Sequence, residues 1–242
     1  MKRVWVVIFA FALIATAFVS PAKASHSWNG YHWARTSNPF TIKVGDNVTS
    51  AWDSHLRTAA SDWSADTAGN PLNAAVVTGA ATTRKCRPTA GQVEVCNASY
   101  GNNGWLGVAQ IWVSGGHITQ GTAKMNDTYF STPKYNTPTW RDSVMCQEIG
   151  HTWGLDHQDE SGADFHTCMD YSSNPDTDNR HPNYHDYQEL ALIYSHLDST
   201  TTIGRPATQS QGRAIEHIRI DHSTRVTRLS DGSIKITFIF WA

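Results

Sequence analysis

The chain is short of most features that would place it quickly. Beyond residue 19 it has no apolar run approaching the roughly 20 residues that a membrane-spanning helix needs. It has no excess of basic residues, with 19 Lys and Arg against 21 Asp and Glu, which argues against nucleic acid or an anionic membrane as the main partner. No internal repeat is visible, and no C-x-x-C pair, so a zinc site built from cysteines alone is disfavoured. Only four cysteines occur among 242 residues, too few for a small disulfide-knotted scaffold. The length allows one domain with an appendage and is ample for a hydrophobic core.

What is present begins at the N-terminus. Lys2 and Arg3 precede the apolar run Val4 to Val19, and Ala22-Lys23-Ala24 offers a small-x-small cleavage pattern. That order is expected of a secretory signal peptide over residues 1–24, cleaved near Ala24 to give a secreted chain. Cleavage would leave 218 residues with 16 basic against 21 acidic side chains, a mildly acidic surface. Cys86, Cys96, Cys146 and Cys168 all fall in the exported part, where an even number reads as two disulfides. Of three connectivities, Cys86–Cys96, closing a short loop, and Cys146–Cys168 are favoured. Asn47-Val48-Thr49, Asn97-Ala98-Ser99 and Asn126-Asp127-Thr128 match the N-glycosylation triplet, a pattern that often arises by chance.

Periodicity sets out the remaining elements. Phe40 to Val44 alternates like a strand, and Trp52, Leu56, Ala59, Ala60 and Trp63 recur at helical spacing between Ala51 and Thr67. Leu72–Val77, Gln92–Cys96, Val108–Val113 and His117–Met125 read as further strands. Thr137-Pro138 supplies an N-cap and a first-turn proline for a helix running to about Trp153, and Gly154 supplies its stop. A long acidic loop leads to a last helix from Tyr184 to Leu197. Residues 199–213 are rich in Thr, Ser, Gln and Gly and read as a linker. Beyond them, over 214–242, Arg225–Leu229 and Ile234–Trp241 flank Asp231-Gly232, a strong hairpin signal. The expected architecture is an α+β core over 25–198 with a small C-terminal β-hairpin, whose Phe238, Ile239, Phe240 and Trp241 are too apolar to leave exposed.

The informative stretch is Gln147-Glu148-Ile149-Gly150-His151-Thr152-Trp153-Gly154-Leu155-Asp156-His157. Positions four apart share a helical face, so Gln147 and His151 can reach one ion, with Glu148 beside them. Gly154 allows a sharp turn that returns His157 towards the same point. Further on, Thr167-Cys168-Met169-Asp170-Tyr171 places a methionine in a tight segment.

These residues resemble the signature of the metzincin zinc peptidases, H-E-x-x-H-x-x-G-x-x-H followed by a methionine-containing turn. Glu148, His151, Gly154 and His157 stand at four of the five defining positions, Met169 at the turn, and the early helix, strands, zinc helix and closing helix follow in the family's order over about residues 38–198. Matrixin-like and other small secreted members are the most similar. The resemblance implies a zincin fold with a mixed twisted sheet, an active-site helix, a Met-turn and a C-terminal helix. It implies zinc held by position 147, His151 and His157, with Glu148 as general base in peptide-bond hydrolysis, Met169 packing beneath the metal, and Tyr171 as an assisting group. It further implies that Val108–Val113 is the edge strand on which an extended polypeptide substrate is laid.

One departure stands at the first ligand position, where Gln147 replaces histidine. An amide oxygen is neutral like imidazole but a poorer zinc ligand. Three outcomes are open: Gln147 binds through its oxygen, a histidine of the following loop (His166, His181 or His185) swings in, or zinc binding has been lost. Read alone, those three histidines are exposed loop residues, Trp140 and Trp153 are core, and Asp159, Glu160, Asp164, Asp176 and Asp178 could bind calcium with loop carbonyls but, lacking an EF-hand pattern, read better as solvated acids. No cysteine precedes the site as an inhibitory ligand. The expectation is therefore a monomeric, secreted zinc endopeptidase with a Gln-His-His ligand set. A catalytically silent polypeptide-binding module and a zinc hydrolase acting on something other than protein are the alternatives.

Overall fold

Five strands of a computed structural model, which describes residues 26–171, 178–206 and 212–242, come from the segments in which apolar residues alternate. They are β2 (Phe40–Asn47), β3 (Leu72–Thr78), β4 (Val93–Ala98), β5 (Trp105–Ser114) and β6 (His117–Asn126), preceded by the two-residue β1 (His32–Trp33). The expected signal peptide, Asp176 and residues 207–211 of the expected linker lie outside the described residues. In β2, Phe40, Ile42 and Val44 point to the buried side while Thr41 and Lys43 face out, the period-2 pattern of a half-covered strand. Gly115 and Gly116, both at positive φ, close the β5–β6 hairpin, a turn that glycine makes without steric cost.

The sheet runs β3-β2-β4-β6-β5 and continues into three C-terminal strands, β9 (Ile234–Trp241), β8 (Thr224–Leu229) and β7 (Ala214–Arg219). The pairings of β2, β3, β4 and β6 are parallel, and β1 runs parallel to the start of β6. β5 is antiparallel to both β6 and β9. The fold is thus mixed α+β with few helices. The appendage read as a hairpin is a three-stranded meander; β7 escapes the sequence pattern because its residues are almost all exposed and lack a buried face.

Helix α1 (Asp53–Trp63) buries Leu56, Ala59, Ala60 and Trp63. After the single turn α2 (Asp127–Phe130), helix α3 (Pro138–Thr152) starts where expected, with Thr137 Oγ1 accepting from the Trp140 amide and Pro138 in the first turn. From Asp142 to Thr152 every residue of α3 is buried, between the sheet on one side and α1 on the other. Helix α4 (Tyr184–Ile193) opens on a capping box formed by Asn183 and Asp186. Trp33, Trp52, Trp63 and Trp153 are fully buried and Trp140 is almost so, which agrees with the core reading of Trp140 and Trp153. Part of the segment read as linker is tied down: the Thr202 amide donates to the Ala34 carbonyl and the Gly204 amide to the Gly91 carbonyl. Among the described residues, no helix is long and apolar enough to cross a membrane.

Both favoured disulfides are present. Cys86–Cys96 closes the loop before β4, and Cys146–Cys168 joins α3 to the segment carrying Met169. Asn47, Asn97 and Asn126, the three glycosylation candidates, are all buried and hydrogen-bonded, which removes them from solvent.

Candidate metal centre

Helix α3 carries Gln147, Glu148 and His151 into the interior, where each is fully buried. Gly154 ends that helix with φ +101°, and a Cβ there would lie 2.1 Å from the Tyr31 carbonyl oxygen, so only glycine fits this turn. The turn returns the chain so that the His157 ring comes to 4.7 Å from that of His151, with the two planes 80° apart.

The outer nitrogens of both rings are anchored. His151 Nδ1 lies 3.0 Å from the Leu155 carbonyl oxygen, and His157 Nδ1 lies 3.0 Å from Glu160 Oε1. Each partner is an acceptor, so Nδ1 carries the proton and Nε2 carries a lone pair. Burial pushes the His151 pKa well below its ordinary value, which keeps the ring in that neutral form. The Nε2 atoms of both rings are buried without a hydrogen-bond partner. An anchored Nδ1 and an orphaned, buried Nε2 is the arrangement that second-shell partners impose on metal-ligating histidine.

Gln147 adds a third orphan. Its Nε2 donates to the Cys168 carbonyl at 2.7 Å and the Asp170 carbonyl at 2.9 Å, both in the Met169 turn. Two carbonyl acceptors fix which end of the amide is nitrogen, and leave Oε1 buried and unpartnered. The donor set fits zinc: two imidazole nitrogens and one amide oxygen, each oriented from behind and each lacking a partner in front.

Glu148 sits next to this set. Neither carboxylate oxygen is satisfied beyond the approach of the Ala109 backbone N–H, and burial pushes its pKa well above the usual carboxylate range. Room for the carboxyl group comes from Gly107 on β5. A Cβ there would fall 2.5 Å from Glu148 Oε1 and 2.7 Å from its Cγ. A second glycine acts beneath the helix, where a Cβ on Gly150 would lie 2.5 Å from Met169 Sδ. Met169 therefore packs directly under α3, held there by the Cys146–Cys168 bridge. The ring of Tyr171 lies 5.1 Å from that of His157, and burial pushes its hydroxyl up to about 12.

The structure corrects one expectation outright. β5 is not a free edge: β9 pairs with it along its length, matching Gly107 with Phe240, Ala109 with Phe238 and Ile111 with Ile236. The cause is the alternation within β9, whose Ile236, Phe238 and Phe240 are buried on one face and need cover. Phe238 stacks on His151, and Phe240 lies 6.0 Å from Tyr171, ring to ring. Ser223, in the turn before β8, also donates to Glu160 Oε1 at 3.2 Å. The C-terminal strands thus lie across the place where an extended substrate was expected.

The three loop histidines do not join the set. His166 is exposed beside Asp164 and Asp178, His181 Nδ1 pairs with Asp62 at 2.7 Å, and His185 stacks on His26. Asp159 accepts from the Ser161 hydroxyl and the Ala163 amide, and Glu160 serves His157, so these acids act within their own loop. Among the described residues Glu160 gathers with Asp156 and His157, their ligand atoms within 4.8 Å of one another. Sequence reasoning missed Gly107, Glu160 and Phe238. Gly107 left a trace as the last glycine of the run 101–107 that leads into β5, Phe238 as an apolar residue needing cover and Glu160 as one of the loop acids.

No protein-family model matches the chain, and no curated protein matches it. Among solved structures, that of myroilysin is 14% identical and has a TM-score of 0.41, the match covering 70% of this chain and 98% of that one. A likeness at that score carries no argument about function.

Proposed function

We propose that the chain is a secreted zinc endopeptidase of metzincin type, made with its substrate edge covered by its own C-terminal strand. The observation that carries this reading is the set of buried, partnerless donors, His151 Nε2, His157 Nε2 and Gln147 Oε1, each anchored from behind and lying beside an equally unsatisfied Glu148. Together with the sequence resemblance, it supports Gln147, His151 and His157 as the zinc ligands. When bound, zinc would supply Lewis-acid polarisation of the scissile carbonyl and make water a nucleophile near neutral pH.

The chain's own residues do the rest. Glu148, in its carboxylate form, would take a proton from the attacking water as oxygen bonds to the carbonyl carbon. It then delivers that proton to the departing amine nitrogen as the C–N bond breaks. Gly107 leaves the space that this carboxylate occupies. Gln147 and Met169 bind α3 to the turn beneath it, and Tyr171, whose ring lies beside that of His157, would be the group that donates to the developing oxyanion. Substrate would lie antiparallel to β5, as β9 does, so β9 must leave before cleavage.

A second reading, a catalytically silent module, is favoured by one observation: the amide nitrogen of Gln147 is fully spent on the Met169 turn, a purely structural use. A protease assay on zinc-loaded protein separates the two. Activity in the wild type that falls by about 10²-fold or more in Glu148→Ala, with zinc content unchanged, supports the enzyme. Equal activity in both, or none in either after β9 is released, would reject it.

A further inference from the structure

Away from Gln147, His151 and His157, three imidazoles converge on one carboxylate oxygen. Asp198 Oδ1 lies 3.4 Å from His32 Nε2, 3.1 Å from His117 Nε2 and 3.7 Å from His196 Nε2. The His32, His117 and Asp198 ligand atoms all fall within 4.8 Å of one another. Ligands at the corners of a tetrahedron around zinc, with bonds of about 2.0–2.1 Å, stand about 3.3 Å apart. His32, His117 and Asp198 are compatible with that spacing, and His196 Nε2, 3.7 Å from Asp198 Oδ1, stands outside the triad.

Their supports also match. His32 and His117 are register partners in the parallel β1–β6 pairing, which puts their side chains on one side of the sheet. The His32 ring lies edge-on to both His117 and His196, at 5.0 Å and 4.7 Å between centroids. His32 Nδ1 lies 2.8 Å from the Gly30 carbonyl oxygen, so its one neutral-state proton is spent there and Nε2 faces Asp198 as a second acceptor. With a neutral ring these two acceptors, 3.4 Å apart, need a cation between them, whereas a protonated ring would pair with Asp198 directly. Asp198 is braced from the other side, its Oδ2 accepting from the Arg35 amide at 3.0 Å and from Arg35 Nη1 at 3.2 Å. Oδ1 is left facing the histidines. The Asp198 side chain is only 9% exposed and His196 is 56% exposed, which gives an ion a solvent-side path.

We propose that His32, His117 and Asp198 form a second transition-metal site, filled by zinc, which fastens the N-terminal strand β1 and the start of β6 to the segment following α4. Two imidazoles and one carboxylate are donors that zinc takes, and their placement on three separate segments gives the site a fastening role. The site shares no residue with the first and does not depend on that reading. The competing account is a charge cluster, with imidazolium rings and Arg35 gathered on Asp198 and no metal.

The test uses the full untagged chain, stripped with chelator and re-equilibrated with zinc, in a His151→Ala background that disables the first centre. The site predicts one zinc per chain, a tetrahedral absorption spectrum on cobalt substitution, and a melting temperature raised by several degrees on adding zinc. All three should vanish in His117→Ala and in Asp198→Asn, while the metal-free melting temperature of His117→Ala stays close to its parent. If the His151→Ala background fails to fold, the wild type serves: His117→Ala should remove one zinc equivalent from it. Zinc binding unaffected by either substitution, or no binding in the His151→Ala chain when it is folded, would overturn the site in favour of the charge cluster.

Discussion

The ring of Phe238 lies flat on the imidazole of His151, with centroids 4.1 Å apart and planes 4° from parallel. A residue of the last strand thus covers a proposed zinc ligand, and the strand that carries it fills the edge of β5. Release of that strand should unmask activity. A protease recognition sequence placed within 207–211 and cut after folding lets the meander leave without disturbing synthesis of the core. The cut protein should hydrolyse an unstructured protein substrate at least tenfold faster than the uncut one. Equal rates with β9 demonstrably released would remove the latency from the account. Phe238→Ala is a coarser probe, since truncating a buried phenylalanine costs about 3–5 kcal/mol.

Gly107 is the residue that gives Glu148 its place. A methyl group there would meet Glu148 Oε1 at 2.5 Å and Val144 Cγ1 at 2.7 Å, so either the carboxylate or the strand must shift. Displacements of about 1 Å in a catalytic group can cost about 10²-fold in rate. Gly107→Ala should lower kcat by about that factor while zinc content holds. Unchanged kcat would show that the carboxylate does not act from its position over β5.

Asp186 gives the fold a pH dependence with a definite sign. Burial is the main cause that pushes its pKa up to about 7, against hydrogen bonds from Thr167 and the Asn183 amide that act to lower it. A carboxyl with a raised folded-state pKa stabilises fully below its unfolded value, and that contribution is lost as pH climbs through about 7. The loss between about pH 4 and pH 8 is at most about 4 kcal/mol. Urea unfolding across that range should show wild-type stability falling relative to Asp186→Asn, whose amide cannot ionise. Parallel curves for the two proteins would contradict the raised pKa.

Much of the architecture was legible because burial imposes a period. The helices at Asp53 and Pro138 and the strands at Phe40, Leu72 and Val108 each lie half or wholly against the core, so their apolar spacing reports their geometry. The strand at Ala214 carries no such pattern, being paired at the sheet's rim with its side chains in water, and it could not be read. Gln147, Glu148, His151 and His157 were visible because a helix and one glycine turn bring them together locally. Phe238, Gly107 and the His32–His117–Asp198 cluster depend on strand pairings between distant segments, which no local spacing encodes. The same lack of long-range information made β5 read as a free edge, since nothing in Val108–Val113 announces that Ile234–Trp241 will pair with it.

The central claim is that Gln147 Oε1, His151 Nε2 and His157 Nε2 hold one zinc ion, and zinc affinity in a His117→Ala background tests it most directly. With the second cluster disabled, the account predicts one zinc per chain for the parent and none for the chain that also carries His157→Ala. Gln147→His should bind more tightly, by about tenfold or more, because imidazole is the better zinc ligand. A parent that binds no zinc, or an affinity indifferent to both His157→Ala and Gln147→His, would contradict it.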